Sequence, residues 1–418
     1  MIDVPPYVKE VLDRLEKAGA EAWCVGGCVR DALLGRTAAD WDVCTSAPPQ
    51  QAKAALGDIP TADTGLRHGT VTALTAGGPV EVTTFRREGA YSDHRRPDRV
   101  SFTTRLEEDL LRRDFTVNAM AFHPARGLRD PFEGQADLRA GLLRCVGSPA
   151  RRFQEDALRI LRCLRFAAVL GFSIEINTKN ALAGFSYLLA TVSPQRVQGE
   201  LSRLLAGPWA SRALGAFRPV LGALLPEAGP FFADPSGCCP AGPTGPQSTS
   251  YCIGPDFDAL PAKAPVRWAA LLWQAQPAQA EGLLSRLCFS NRDSRAVMGL
   301  LAHRGEPLPL PRQRAQQLLG ALGPGAFSDW LALLAWAWPS CLAEVSQARA
   351  LADSLLAGGA CLSLKDLAIS GRDLLGLGCP AGPALGQVLA ALLGEVQAGC
   401  IPNQQGPLLR RAQALLRA

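Results

Sequence analysis

Apolar positions along the first half of the chain follow two periods. Val8, Val11, Leu12 and Leu15 recur at the spacing of one helical stripe, which predicts a helix from Val8 to Ala18. Shorter runs then take over. Glu21 to Val25 reads as a strand ending at Gly26-Gly27, and a short helix leads from that turn to a second strand, DWDV, carrying Asp40 and Asp42. Pro48 to Leu56 predicts another short helix. His68 to Thr75 and Val80 to Phe85 are β-like runs parted by Gly77-Gly78, the pattern of a hairpin.

Periodicity disappears over residues 86–105, RREGAYSDHRRPDRVSFTTR, which predicts a mobile basic loop of the kind that closes on a substrate. It returns at Arg151 to Leu170, where Leu158, Leu161 and Leu164 form the buried row of one continuous helix. Beyond Gly207 the chain is rich in Ala, Leu and Trp and reads as short helices. Gly229 to Pro261, with its Pro, Gly and Ser content, reads as a linker.

Composition limits the class. The chain has 418 residues, enough for two or three domains, and 48% hydrophobic against 19% charged residues is globular. The net charge is +5, so no bulk basic tail announces nucleic acid. Its distribution is more informative: Arg86 to Arg165 holds 17 Arg and no Lys against 12 acidic residues, a surplus equal to that of the whole chain. Arginine suits phosphate and base recognition through its planar fork, although a solvated face gives the same count. Thirteen cysteines occur without a C-x-x-C pair, and no signal peptide is read at the N-terminus, so reduced thiols and a cytoplasmic location are expected. No run approaches the ~20 apolar residues of a membrane helix.

The candidate chemistry starts from Asp40 and Asp42. Side chains two apart on a strand leave one face, so both carboxylates would point at one spot. Carboxylate oxygens completed by substrate phosphates are how magnesium is usually held. Gly26 and Gly27 let the backbone approach a ligand, the N–H groups opening the next helix can receive phosphate oxygens, and Arg30 adds a charge. A D-x-D pair alone is common in turns. The ordered set of Gly-Gly, Arg30-Asp31, Asp40 and Asp42 is not, and it resembles the nucleotidyltransferase signature in the form found in class II tRNA nucleotidyltransferases (CCA-adding enzymes) and bacterial poly(A) polymerases. Beside such a site Glu81, flanked by valines and pointing away from them, is the natural third carboxylate of a two-metal clamp.

Other segments extend the resemblance. Tyr91, Asp93, Arg95, Arg96 and Pro97 look like the family's flexible loop at full length, which favours addition of the terminal A. RRDFTVNAM matches its RRDFT-N-A motif, which implies that Arg113 contacts the triphosphate and that Asp114 with its neighbours, Asn118 among them, reads the ribose. Asp156 and Arg159 match its ED-x-x-R motif as base readers, with Arg162 and Arg165 in the nucleotide pocket. The physical logic is that cytosine and adenine both place an amine donor beside a ring-nitrogen acceptor, whereas uracil and guanine reverse the order. An Asp–Arg pair would then leave buried polar groups unpaired against U or G. The default for such a pair is an intrahelical salt bridge, and at three-residue spacing Arg165 would wind to the far side of a straight helix. Arg196 and Glu200 match a supporting helix in which Gln195 replaces the usual Glu. Trp268 to Gln274 resembles a metal-binding His-Asp segment with that pair replaced by Trp273-Gln274, so a metallophosphohydrolase activity is not expected.

The resemblance implies an α+β fold: a nucleotidyltransferase head with a small mixed sheet (1–145), a helical neck (146–228), a linker (229–262), and a helical body and tail (263–418) that bind tRNA. It implies Mg²⁺ as cofactor and tRNA, ATP and CTP as partners, with no membrane. Monomer or homodimer stays open. The expected reaction adds C, C and A to the tRNA 3′ end. An A-only adding enzyme, a poly(A) polymerase and a non-catalytic RNA-binding module remain as alternatives.

Overall fold

The computed structural model describes residues 2–66, 69–89, 100–232 and 255–417. Asp93, Arg95 and Arg96, with Tyr91, Pro97, His68 and His94, lie outside them. The chain divides into two compact units, Met1–Leu224 and Leu225–Ala418.

The first unit runs α1 (Pro6–Lys17), β1 (Ala22–Val25), α2 (Gly27–Leu33), β2 (Trp41–Thr45), α3 (Pro49–Leu56), β3 (Thr61–Gly65), β4 (Thr70–Thr75), β5 (Gly78–Thr84), β6 (Arg86–Glu88), β7 (Val100–Phe102), α4 (Leu106–Leu111), β8 (Ala121–His123), β9 (Gly127–Arg129) and α5 (Gly134–Ala140). It ends in helices that include α6 (Pro149–Glu155), α7 (Leu158–Leu170), α8 (Ile176–Phe185) and α9 (Pro194–Leu205). Seven strands form one sheet in the order β3-β4-β5-β2-β1-β8-β9. The β2–β5 pair is parallel and its neighbours are antiparallel, so the sheet is mixed. Helix α1 buries Val8, Val11, Leu12 and Leu15, the stripe read from the sequence. All four residues of central strand β1 are buried, which is why AWCV shows no alternation.

Three segments differ from the sequence reading. The polar run TADTG forms strand β3, because pairing with β4 outweighs its weak apolar pattern. The aperiodic loop is carried on a short ribbon in which Arg86, Arg87 and Glu88 pair with Phe102, Ser101 and Val100. The expected single helix from Arg151 to Leu170 is two, broken at Asp156, whose φ of −139° and ψ of 105° are extended.

The second unit is helical, including Ala264–Leu271, Pro277–Arg286, Asn291–Ala302, Arg312–Ala337, Leu342–Ala357, Pro383–Gln397 and Gln405–Arg417. Near its C-terminal end Leu367, Ile369, Leu374, Leu392 and Leu408 share a core. Arg312–Ala337 has the length and composition of a membrane span. However, Gly323 (φ 77°, ψ 160°) and Pro324 break it into two pieces, each shorter than a bilayer requires. The ten described cysteines are free, and eight are buried.

Candidate active site

Asp42 on β2 stands in parallel register with Glu81 on β5, so both side chains leave the same face. Asp40 is not on the strand as expected; it lies in the bend just before Trp41. Val80 and Val82 are buried and hold β5 so that Glu81 faces out. Among the described residues no hydrogen bond or ion pair is made to the carboxylates of Asp40, Asp42 or Glu81. Burial pushes the Asp42 carboxyl above the usual range; Glu81 and Asp40 add to the rise, and Arg113 opposes it. Among the described residues, no three His, Cys, Asp or Glu side chains form a ready-made metal cage. An open edge of unpartnered, mutually repelling carboxylates instead fits a cation whose remaining ligands come from phosphate.

The glycine turn forms the wall opposite. Gly26 has φ 80° and ψ −130°, and a Cβ there would stand 2.9 Å from Arg113 Nη1 and 4.0 Å from Asp42 Oδ2. The turn thus needs glycine for its backbone and for its space. Gly26→Ala should cost about 1–3 kcal/mol in backbone strain and displace the Arg113 guanidinium. Thermal melting should show the lower stability, and nucleotide KM should rise; an unchanged KM would separate the turn from the site.

Arg113 reaches this point because Asp109, fully buried on α4, anchors it at 3.3 Å and Arg112 at 2.8 Å. Burial opposes the charge on Asp109, but the two arginines outweigh it and hold the carboxyl below its usual range. Arg113 Nε is buried and has no hydrogen-bond partner among the described residues. Arg30 is fixed elsewhere: it donates to both oxygens of Asp31 at 2.9 Å and to Asn118 Oδ1 at 2.7 Å. Its Nη2 would lie 3.7 Å from a Cβ on Gly27.

Asp114 ties the turn after α4 to α7. One carboxylate oxygen accepts from Phe115 N at 2.8 Å and Asn118 Nδ2 at 3.1 Å, and the other from Arg162 Nε at 2.8 Å. Burial opposes ionisation, yet Arg162 and Asn118 hold the carboxyl well below the usual range.

The expected Asp156–Arg159 pair is not an intrahelical bridge. Asp156 caps the start of α7 by accepting from Leu158 N at 3.1 Å, and it accepts from Arg196 Nη2 at 2.8 Å. Arg159 turns inward and donates to Glu155 at 2.7 Å and to the carbonyls of Arg152 and Arg112. The break at Asp156 lies before α7, so Arg159, Arg162 and Arg165 keep their helical drift; Arg165 bonds Glu200 at 2.6 Å and lies 3.9 Å from the Phe166 ring centroid, a ring that Arg162 also meets. Arg196 and Glu200 each clamp α9 to the preceding segment, Glu200 through Arg165 on α7 and Arg196 through Asp156. Sequence reasoning missed Asp109, Glu155 and Phe166. The first two precede Arg112 and Arg159 by helical spacing, and the third has an arginine on either side of it in the fold.

Residues 22–144 match the Poly A polymerase head domain, 171–218 the "Probable RNA and SrmB-binding site of polymerase A", and 327–412 tRNA nucleotidyltransferase domain 2. The chain is 34% identical over 415 residues to the CCA-adding enzyme of Limosilactobacillus fermentum, covering 98% of this chain and 97% of that one. It is 37% identical over 427 residues to the CCA-adding enzyme of Lactiplantibacillus plantarum, covering 96% and 94%. Its fold is similar to the crystal structure of the Bacillus stearothermophilus CCA-adding enzyme in complex with CTP, with a TM-score of 0.77, 29% identity, and coverage of 99% and 98%. With two relatives above 30% identity along almost its whole length and the carboxylate edge, glycine turn and arginines assembled in one unit, the chain belongs to the class II tRNA nucleotidyltransferases, the family of the CCA-adding enzymes.

Proposed function

We propose that Asp40, Asp42 and Glu81 hold the Mg²⁺ ions with which this nucleotidyltransferase adds C, C and A to the 3′ end of tRNA from CTP and ATP. The tRNA 3′-hydroxyl attacks the α-phosphate; a P–O bond to the tRNA forms as the bond to pyrophosphate breaks. Bound at the carboxylate edge, Mg²⁺ supplies charge neutralisation for the attacking and leaving oxygens. Gly26 and Gly27 let the triphosphate approach the backbone. Arg113, held by Asp109, and Arg30, held by Asp31, neutralise it. Asp114 and Asn118 orient the ribose.

In the neck, Asp156 accepts from the base amine while Arg159, Arg162 and Arg165 supply the positive side of the pocket. Asp156 uses two of its roughly four acceptor positions on Arg196 and Leu158, so capacity remains for a base. The helical second unit carries the rest of the tRNA. The enzyme works in the cytoplasm. The observation that carries this reading is the pairing of Asp42 with Glu81 in register, two carboxylates without partners among the described residues, in front of Gly26 and Arg113.

The test uses three tRNAs ending before CCA, after C and after CC, each with Mg²⁺ and CTP, ATP, UTP or GTP singly, or with CTP plus ATP. Growth by CCA followed by arrest is the expected result. Addition of A only to the CC end would assign an A-adding enzyme, and unlimited A tails a poly(A) polymerase. Binding of tRNA without incorporation would leave an RNA-binding module.

A further inference from the structure

Phe166 stands where three cations meet. Its ring is 4% exposed, and the guanidiniums of Arg165, Arg30 and Arg162 lie over it at 3.9, 5.1 and 5.6 Å from the centroid. Each arginine is held at its other side by a different partner: Arg165 by Glu200, Arg30 by Asp31 and Asn118, and Arg162 by Asp114. Arg30 and Arg162 are also linked through the hydrogen bond from Asn118 to Asp114, whereas Arg165, anchored on α9, meets them at the ring. The edge of Phe115, next to Asp114, meets Phe166 at 5.8 Å between centroids and an interplanar angle of 82°. The ring therefore touches the head through Arg30 and Phe115 and the neck through Arg162 and Arg165.

Three like charges brought together repel one another, and among the described residues Arg162 and Arg165 are each restrained by a carboxylate on the outer side. An aromatic face offers negative potential on the inner side without adding an ion, and such contacts are stronger when desolvated. A leucine of similar apolar character would fill much of the volume but leave the inner sides of the guanidiniums facing hydrocarbon. Arg165 would then lose the surface it shares with Arg30 and Arg162, which stay linked to each other through Asn118 and Asp114.

We propose that Phe166 is a positioning residue for nucleotide binding, its π face setting the spacing of Arg30, Arg162 and Arg165. This rests on the assignment of those arginines to the nucleotide pocket. The ring touches no reacting atom; it acts through the arginines.

The test compares Phe166→Leu with Phe166→Tyr and Phe166→Trp, which keep a π face, and with Arg162→Ala. Steady-state incorporation of C and A with CTP and ATP is measured beside thermal melting and tRNA binding. Phe166→Leu is expected to raise KM for both nucleotides about tenfold, the scale of one or two lost cation–π contacts. Its affinity for tRNA should be unchanged, and the better-folded aromatic variant should stay within about threefold of the parent. If Arg162→Ala is impaired and Phe166→Leu is not, the positioning role is overturned while the nucleotide pocket stands. If Arg162→Ala itself has the parental nucleotide KM, the pocket assignment fails and the positioning role falls with it. A loss in Phe166→Leu that follows thermal stability alone, and that neither aromatic restores, would mean a packing role and would overturn the proposal.

Discussion

Asp42→Ala should abolish incorporation, lowering kcat by about 1,000-fold or more, while tRNA binding stays within about threefold of the parent. On the proposed metal assignment, several kcal/mol of transition-state charge stabilisation would go with the cations. The variant should be as stable as the parent or more so. In the absence of cation, burial, Glu81 and Asp40 resist the ionisation of Asp42 more than Arg113 favours it. Its folded value is raised above the unfolded one, so ionised Asp42 costs stability once pH rises through that range, and removing it relieves the cost. The same shift predicts that cation affinity weakens as pH falls through the raised Asp42 value. Incorporation assays and melting curves, each with and without Mg²⁺, check these outcomes together. Retained incorporation would sink the metal assignment; lost incorporation with lost folding would point to a structural role.

Asp114→Ala should be the most destabilising single change in the site. The carboxylate is almost fully buried, bonds Arg162, Asn118 and a backbone N–H, and its removal strands a guanidinium. Breaking a buried pair by removing one partner costs about 3–5 kcal/mol. Arg162 keeps 34% of its side chain in solvent, which places the expectation at the lower end. A loss of about 3 kcal/mol corresponds to roughly 6–12 °C in Tm for a unit of this size. The pH dependence runs opposite to that of Asp42. The folded value of Asp114 is depressed, so its contribution is complete above the unfolded value of about 4 and is lost as pH falls toward the folded value. The difference in Tm between parent and Asp114→Ala should therefore be full at neutral pH and shrink in acid. Nucleotide KM should rise as well, since Arg162 and Asn118 lose their shared anchor. An unchanged Tm at neutral pH would show that water replaces the carboxylate without cost.

What could be read along the chain was local. The stripe of α1, the glycine turn, the alternation that turns Glu81 away from Val80 and Val82, and the carboxylate and arginine types needed for phosphoryl transfer all lie in short segments. Backbone period and side-chain chemistry fix such features without reference to anything distant. The family motifs likewise sit in uninterrupted stretches, which is why the reaction class was legible before the fold.

The pairings were decided by tertiary structure. Nothing near Asp42 in the sequence says that Glu81 is its partner in a parallel register; only a sheet in the order β5-β2-β1 brings them together. The break at Asp156 was hidden because the apolar row of α7 continues smoothly upstream. A cap to Leu158 and the pull of Arg196 from α9 outweigh helix propensity there, since propensity is a fraction of a kcal/mol per residue and a charge-assisted bond exceeds it. Asp109 and Phe166 are ordinary residues of amphipathic helices until folding buries one between two arginines and sets the other beneath three. By itself the sequence determined which chemistry the chain carries; the tertiary structure decided which residue holds which, because ion pairs and strand register join positions that the chain separates by tens of residues.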